Sequence, residues 1–286
     1  MKLITFLYQD RAQPGVLTED GAAVLPLPYP SMQALIESPW EQVRAAAGQA
    51  AGPAIPLSQV CLLAPIPQPR QDVICLGLNY RDHAEESARF NGDSFRQDSP
   101  VPVYFSKRVS EAVAPDGWIA RHPGLVEQLD YEAELAVIIG KTAKGVPAER
   151  AAEYIFGYTV LNDVSARALQ TAHKQWYYGK SLDGFTPMGP CILTADEVAF
   201  PPALEISARV NGELRQRSNT RLLITGIAEI IQDLSAGITL LPGTIIATGT
   251  PAGVGMGFSP PRFLEPGDVV DCTVEGIGTL RNTVQP

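Results

Sequence analysis

Short apolar runs dominate the pattern of hydrophobic and polar positions along this chain. Runs of about four to eight apolar residues that end at turn-forming residues are typical of β-strands. The strands predicted in this way cover residues 3–8, a segment near Val16, and residues 73–78, 103–106, 134–139, 157–161, 204–210, 244–248, 269–274 and 279–284. Turn-forming sequences such as Asn211-Gly212 and Pro242-Gly243 separate several of these runs.

Helical spacing of apolar residues is confined to a few segments. It predicts a helix over residues 222–237 that ends at Gly237 and a shorter helix over residues 148–154. Ser31 is a suitable N-cap for one more helix. Many strands with a few interposed helices indicate an α+β, β-rich fold rather than a regular βαβ alternation.

A cluster of prolines divides the chain into two parts. Pro65, Pro67 and Pro69 predict a stiff connector. We therefore expect a small N-terminal module at residues 1–68 and a larger catalytic domain at residues 69–286. The length of 286 residues, 45% of them hydrophobic, is enough for one large core with a smaller appendage.

Composition narrows the classes of partner. The formal net charge is -9 and no basic run occurs, which argues against a nucleic-acid-binding surface. The apolar stretch at residues 3–8 is too short for a signal sequence or a membrane span, so no membrane partner is expected.

The cysteines indicate the cellular compartment. Cys61, Cys75, Cys191 and Cys272 are widely spaced among apolar neighbours and form no C-x-x-C motif. This pattern predicts free buried thiols in a reducing compartment, with the cytoplasm as the default location.

Three acids stand beside apolar runs. Glu132 and Glu134 lead directly into a predicted strand, and residues two apart in a strand point to one face. Asp163 follows the next strand along the chain. Carboxylates gathered in apolar surroundings repel each other and lose hydration, so they need a counter-charge. A divalent cation would supply it; alternatively, the acids are solvated or pair with Lys141 and Lys144.

A histidine and a glutamate offer acid–base chemistry. His83 and Glu86 are three residues apart and share a face if residues 79–86 begin a short helix. A carboxylate beside an imidazole orients the ring and raises its basicity, an arrangement suited to activating water. The alternative interpretation is a charged surface helix.

Two loops carry further polar groups. Lys180 lies in an aromatic-rich segment, residues 178–190, where it either approaches an anion or is an ordinary surface lysine. Thr250 lies in a Thr-Gly-Thr-Pro turn that either binds a carboxylate or is only a turn.

Several common enzyme motifs are absent. Lys174 stands where a phosphate-binding P-loop requires glycine, and the glycine-rich residues 253–257 lack the strand–glycine–helix order of dinucleotide-binding folds. The sequence contains neither G-x-S-x-G nor H-E-x-x-H, so it supports neither a serine-hydrolase elbow nor zinc protease chemistry.

Taken in order, these segments resemble the fumarylacetoacetate hydrolase family over about residues 73–286. The matching pieces are Gly77-Leu78-Asn79-Tyr80 with His83 and Glu86, Phe105-Ser106-Lys107, Tyr131-Glu132-Ala133-Glu134-Leu135, Asn162-Asp163-Val164-Ser165-Ala166-Arg167, Gly179-Lys180-Ser181, and Thr248-Gly249-Thr250-Pro251-Ala252-Gly253-Val254-Gly255. The resemblance implies a mixed β-sandwich roll with a small N-terminal α/β module, assembled as a homodimer.

The resemblance also implies roles for individual residues. Mg²⁺ or Mn²⁺ would be held by the three acids, Glu132, Glu134 and Asp163. His83 and Glu86 would handle water, Lys180 would face the substrate, and the substrate-binding residues would be Lys107, Arg167 and Thr250. Two features depart from many relatives: residues 87–99 form a longer stretch, which we expect to be a lid, and Ala168 stands where relatives often carry aspartate.

The reaction expected from these parts is hydrolysis of a carbon–carbon bond in an acylpyruvate-like 2,4-diketo acid. His83, oriented by Glu86, would activate water, the metal ion would stabilise the enolate, and Lys180 would stabilise the oxyanion or protonate the leaving carbon. Two alternatives stay open for the same site. One is decarboxylation or keto–enol isomerisation of a 2-oxo diacid such as oxaloacetate or a 2-hydroxy-dienedioate, and the other is a non-catalytic dimeric binding protein.

Overall fold

The computed structural model describes residues 1–50, 52–91 and 101–286. The strands of this part are β1 (Lys2–Tyr8), β2 (Arg11–Leu17), β3 (Ala23–Pro26), β4 (Ile55–Pro56), β5 (Cys61–Leu63), β6 (Val73–Gly77), β7 (Val103–Lys107), β8 (Trp118–Ile119), β9 (Leu129–Asp130), β10 (Ala133–Ile139), β11 (Ile155–Asn162), β12 (Ser165–Ala166), β13 (Met188–Thr194), β14 (Glu205–Val210), β15 (Glu213–Asn219), β16 (Ile245–Ala247), β17 (Val269–Val274) and β18 (Gly278–Val284). The α-helices are α1 (Met32–Ile36), α2 (Trp40–Gly48), α3 (Arg81–Asn91), α4 (Arg167–Ala172), α5 (Tyr177–Lys180) and α6 (Ile227–Gly237).

The largest sheet passes through the centre of the molecule. Its strand order is β4-β3-β2-β1-β13-β11-β10-β16-β6-β7, with β5 also paired to β1. Both β10 and β11 are buried at every position. Side chains of β10 alternate between two hydrophobic clusters: Leu135 and Val137 lie in one, and Ala136 and Ile138 in the other. A strand covered on both faces reads as a continuous apolar run, which explains the sequence of β10.

A second sheet packs against one face of the first. It has five strands in the order β15-β14-β17-β18-β8. Its inward residues, including Ile206 and Cys272, share a hydrophobic cluster with Leu135 and Val137 of the large sheet. Residues of α1 and α2 lie in the hydrophobic cluster on the other face of the large sheet, with Ala136 and Ile138. Sheet packed on sheet, with added helices, confirms the predicted β-rich α+β sandwich.

The N-terminal segment adds strands to the large sheet. β1 pairs antiparallel with β13, with Lys2 opposite Leu193. The Ser31 cap is confirmed, because the Ser31 hydroxyl oxygen accepts a hydrogen bond from the Ala34 N–H at 3.1 Å. The domain boundary after residue 68 stays a prediction.

Three local predictions were wrong in detail. The helix predicted over 222–237 begins only at Ile227, because Leu223 bridges to Tyr80 and the Ile224 N–H donates to the Asn79 carbonyl. Residues 148–154 form 3₁₀ turns rather than an α-helix. Cys61 is exposed, although the other three cysteines are buried free thiols as expected.

Within the described ranges, no helix has the length and apolarity needed to cross a bilayer.

We predict that Leu135→Ala destabilises the protein strongly. Leu135 is fully buried between the sheets, so its truncation leaves a cavity and should lower the free energy of unfolding by about 2–5 kcal/mol. Urea unfolding measures this change. The matched control is Leu222→Ala, because Leu222 is 55% exposed and its truncation should change the free energy by less than about 0.5 kcal/mol. Equal effects of the two substitutions would contradict the assignment of the core.

Candidate active site

The pairing of β10 with β11 brings three acids together. The strands are antiparallel with Ala133 opposite Asn162, so Glu132 and Asp163, which flank this pair, are neighbours. The Asp163 N–H donates to the Glu132 carbonyl oxygen at 2.9 Å. Carboxylate oxygens of Glu132, Glu134 and Asp163 lie within 4.8 Å of one another, and all three residues are buried. The cluster predicted from the sequence is therefore assembled.

Buried cations neutralise two members of this cluster. The Lys180 Nζ lies 2.8 Å from Glu132 Oε2 and 2.8 Å from Asp163 Oδ2. The Arg167 Nη1 lies 2.7 Å from Glu132 Oε1, and the Lys107 Nζ lies 2.8 Å from Asp163 Oδ1. These contacts hold both carboxylates in fixed orientations.

The lysines considered as alternative partners do not reach the cluster. Lys141 and Lys144 are exposed, and the Lys144 Nζ donates to the Gly237 carbonyl oxygen at 2.7 Å. The cationic partners come instead from β7, α4 and α5, which carry Lys107, Arg167 and Lys180.

Glu134 is the member of the cluster without a cationic partner. Among the described residues it has no ion pair, and its Oε2 accepts one hydrogen bond, from the Gly249 N–H at 2.8 Å. Burial, followed by the negative charges of Asp163 and Glu132, raises the pKa of Glu134 well above its ordinary value. An added cation would relieve this repulsion.

The charge and donor set fit a hard divalent ion. Glu132, Glu134, Asp163 and the neighbouring Asp130 are four buried carboxylates, and they face the three buried cations Lys107, Arg167 and Lys180. One negative charge is therefore left unbalanced. Carboxylate oxygens are the ligands that Mg²⁺ and Mn²⁺ prefer.

The turn after β6 delivers the histidine. Leu78 has a φ of 58°, a left-handed conformation that is uncommon for a residue with a branched side chain. Asn79 fixes the turn, because its Nδ2 donates to the Thr248 carbonyl oxygen at 2.8 Å and its Oδ1 accepts from the Thr225 N–H at 2.8 Å. Helix α3 then begins at Arg81.

His83 and Glu86 lie on the buried face of α3. The His83 Nδ1 is 3.3 Å from Glu86 Oε2, and both residues are nearly excluded from solvent. The Gly253 N–H lies 3.1 Å from Glu86 Oε1 and 3.2 Å from Oε2. The predicted pairing on one helix face is thus present, and it is buried rather than a solvated surface feature.

One cavity of about 320 Å³ connects the acid–base pair with the carboxylate cluster. Its lining residues are Leu76, Gly77, Leu78, His83, Ser87, Phe105, Glu132, Arg167, Gln170, Trp176, Lys180, Thr250 and Met256. The lining combines cationic groups, an imidazole and an aromatic wall. A lining with converging polar groups suits a charged ligand.

Two predicted substrate-binding residues, Lys107 and Thr250, form hydrogen bonds to main-chain carbonyl oxygens. Lys107 is not part of the cavity lining, and its Nζ donates to the carbonyl oxygens of Val164 and Lys180. The Thr250 hydroxyl donates to the Ala133 carbonyl oxygen at 2.9 Å. Their roles, and that of Arg167, stay predictions.

The structure describes Ala168, the first of the two departures from the family pattern, and only part of the second, the predicted lid. Ala168 is exposed, so an aspartate at this position would face solvent. Of the predicted lid, residues 87–91 complete α3, and residues 92–99 lie outside the described part of the chain.

Sequence reasoning missed Gln170 and Trp176 on the cavity wall. Gln170 follows Arg167 by one helical turn, and its Oε1 accepts from the Arg167 Nη1 at 3.1 Å. That three-residue spacing on a helix was a usable signal. Trp176 gave no such signal, because its place depends on contact with Gly77 in a distant strand.

Comparison with known proteins identifies relatives over most of the chain. The chain is 46% identical over 229 residues to the oxaloacetate tautomerase YisK of Bacillus subtilis strain 168, covering 80% of this chain and 74% of that protein. Its fold matches the fumarylacetoacetate hydrolase of the psychrophile Exiguobacterium antarcticum with a TM-score of 0.86 and 41% identity, covering 100% and 99% of the two chains.

A further similar structure contains ligands. The maleylpyruvate hydrolase of Sphingobium sp. SYK-6, in complex with manganese(II) and pyruvate, matches with a TM-score of 0.78 and 31% identity over 100% of this chain and 99% of that one. Residues 72–285 match the family described as fumarylacetoacetate (FAA) hydrolase, C-terminal. Because this match spans well over half of the chain, the protein belongs to the fumarylacetoacetate hydrolase family.

Proposed function

We propose that this protein is a metal-dependent enol–keto tautomerase of a short 2-oxo diacid, with oxaloacetate as the first candidate. The observation that carries the proposal is the joint presence of His83, Arg167, Lys180 and Glu132 on one cavity of about 320 Å³. Arg167 and Lys180 place two cationic groups in the cavity lining, which suits an acidic substrate. The 46% identity to a protein named oxaloacetate tautomerase supports this choice.

Glu132, Glu134 and Asp163 are the proposed ligands of Mg²⁺ or Mn²⁺. A bound ion would supply Lewis-acid polarisation of a 2-oxo group. The manganese(II) in the structure of the Sphingobium maleylpyruvate hydrolase supports this type of ion.

His83 is the proposed proton carrier. Because Nδ1 faces Glu86, the Nε2 atom is the ring nitrogen that remains for the substrate. In the enol-to-keto direction, the C2 hydroxyl loses its proton to solvent and C3 gains a proton from the protonated imidazole, while the double bond moves from C2–C3 to C2–O; solvent then reprotonates the imidazole. We assign the transfer at C3 to His83 Nε2, and the contact of Nδ1 with Glu86 orients the ring.

Lys180 is the proposed stabiliser of developing negative charge. Burial alone lowers the pKa of Lys180, but the carboxylates of Asp163 and Glu132 raise it above its ordinary value. The side chain therefore stays an ammonium group at neutral pH and can donate to the oxygen at C2.

Hydrolysis of an acylpyruvate is the second candidate. The same buried His83–Glu86 pair is suited to removing a proton from water, and a maleylpyruvate hydrolase is among the similar structures. Both reactions use the same residues, so an analysis of the products is needed to distinguish them.

The purified protein should be assayed with Mg²⁺ and with Mn²⁺ on enol-oxaloacetate and on a set of acylpyruvates, with products followed by NMR and mass spectrometry. We expect loss of the enol absorbance faster than the spontaneous rate and a product of unchanged mass. Two organic fragments would favour the hydrolase, and released CO₂ would favour a decarboxylase. Absence of any turnover would favour the non-catalytic binding protein. The homodimer and the cytoplasmic location stay predictions.

We predict that His83→Ala lowers kcat by about 10²–10⁴-fold, the usual contribution of general acid–base catalysis. The affinity for Mn²⁺ should persist, because His83 is not among the proposed ligands. Steady-state kinetics and a Mn²⁺ titration measure the two quantities. His173→Ala is the matched control, because His173 is exposed and outside the cavity lining. Unchanged turnover in His83→Ala would exclude the assigned role.

We also predict that two isosteric substitutions change the stability of the metal-free protein by different amounts. Glu134→Gln replaces a buried carboxyl group that has no cationic partner among the described residues, and it should leave the free energy of unfolding within about 1 kcal/mol of wild type, or above it. Glu132→Gln removes one of the two carboxylates that pair with Arg167 and with Lys180, and it should reduce the free energy of unfolding by about 3–5 kcal/mol. Urea unfolding in the presence of a chelator measures both.

The same variants report on metal binding. Mn²⁺ should raise the Tm of the wild type but not that of Glu134→Gln. The rise should become larger as the pH increases, since protons compete with the ion for a carboxylate whose pKa is raised by burial and by the charges of Asp163 and Glu132. A Mn²⁺-dependent rise in Glu134→Gln equal to that of the wild type would count against Glu134 as a ligand.

A further inference from the structure

Residues 253–257, here called the glycine loop, enclose the Glu86 carboxylate. The Gly253 N–H contacts both carboxylate oxygens of Glu86, at 3.1 and 3.2 Å. A Cβ atom placed on Gly257 would lie 1.7 Å from Glu86 Oε1, so a larger residue does not fit there without displacing Glu86. The position of the glycine loop therefore sets the position of Glu86.

The glycine loop is itself held by two consecutive residues. The Asp130 carboxylate accepts the N–H groups of Gly255 at 2.6 Å and Met256 at 3.0 Å. The Tyr131 hydroxyl donates to the Gly253 carbonyl oxygen at 2.7 Å. Asp130 and Tyr131 are fully buried, so these contacts form where water does not compete.

Asp130 also contacts the carboxylate cluster through an arginine. The Arg167 Nε lies 2.9 Å from Asp130 Oδ2, and the Arg167 Nη1 lies 2.7 Å from Glu132 Oε1. Glu132 is moreover the next residue in the chain after Tyr131. The same short segment thus touches the glycine loop on one side and the cluster on the other.

We propose that Asp130 and Tyr131 are positioning residues, which fix the glycine loop and through it orient Glu86 and His83 relative to the cluster at Glu132. This inference rests on the proposed function, in which His83 moves a proton. An imidazole takes its orientation from the group bonded to its other nitrogen, and catalytic geometry tolerates displacements of only about half an ångström.

Tyr131→Phe is the sharpest test, because it removes one hydroxyl group and adds no atoms. We expect kcat to fall by about tenfold or more, while KM and the affinity for Mn²⁺ stay unchanged. Tyr158→Phe is the matched control, because Tyr158 is equally buried but lies four residues before Asn162 in β11, away from the cavity lining. Wild-type kcat in Tyr131→Phe would overturn the inference.

A double-mutant cycle distinguishes positioning from general weakening of the fold. If Tyr131 acts through Glu86, the double variant Tyr131→Phe/Glu86→Gln should be as slow as Glu86→Gln alone. If the reductions of kcat in the two single variants instead multiply in the double variant, Tyr131 acts independently of Glu86 and the inference fails.

A measurement without turnover separates this inference from the proposed function. The chain has 3 histidines, so the ring signals of His83 can be followed by NMR with His122 and His173 as internal references. Tyr131→Phe should move the His83 signals, and Tyr158→Phe should not. Unmoved His83 signals would overturn the positioning role even if the enzyme is active, and moved signals would support it even if no 2-oxo acid is turned over.

Asp130→Asn tests the second positioning residue by the same NMR measurement. The substitution keeps the size of the side chain, but an amide replaces the carboxylate that accepts hydrogen bonds from the Gly255 and Met256 N–H groups. We expect displaced His83 signals, and unmoved signals in a folded Asp130→Asn protein would exclude Asp130. Should Asp130→Asn fail to fold, Tyr131→Phe still decides.

Discussion

The structure depends on the repulsion between acids at the point where β10 begins and β11 ends. Glu132, Glu134 and Asp163 are brought together by strand pairing and are withdrawn from water by the hydrophobic clusters on both faces of the sheet. A buried charge without a partner is strongly destabilising. The cations that pair with these acids come from three separate elements, β7, α4 and α5. The same elements contribute Phe105, Gln170 and Lys180 to the lining of the cavity. Glu134 has no cationic partner among the described residues, so the repulsion is only partly neutralised there. The cluster therefore fits a metal ion.

Local periodicity predicted the parts of the site but not their partners. The two-residue repeat of a strand placed Glu132 beside Glu134, and the three-residue step of a helix placed His83 beside Glu86. Pairing of Glu132 with Lys180 required the tertiary fold, so the nearby Lys141 was as reasonable a partner in the sequence. Family resemblance supplied the ligand set, whereas the engagement of Lys107 by main-chain carbonyls was visible only in the structure.

The fold was predicted best where strands are buried on both faces. β10 and β11 are continuous apolar runs, and their assignment was correct. β15 was missed because its sequence, ELRQRSN, is largely polar and lies at the edge of the smaller sheet. β13 was missed because Gly189 and Pro190 suggest a turn, although both lie within the strand. In each case tertiary pairing overrode local preference.

The carboxylate cluster and the His83–Glu86 pair are supported by different parts of the fold. The three acids lie in β10 or directly next to β10 and β11, two strands that are buried on both faces. His83 and Glu86 instead arrive on a separate helix, which joins β6 through the strained turn at Leu78. A substitution in the helix can therefore displace the acid–base pair while the three acids keep their positions between the buried strands.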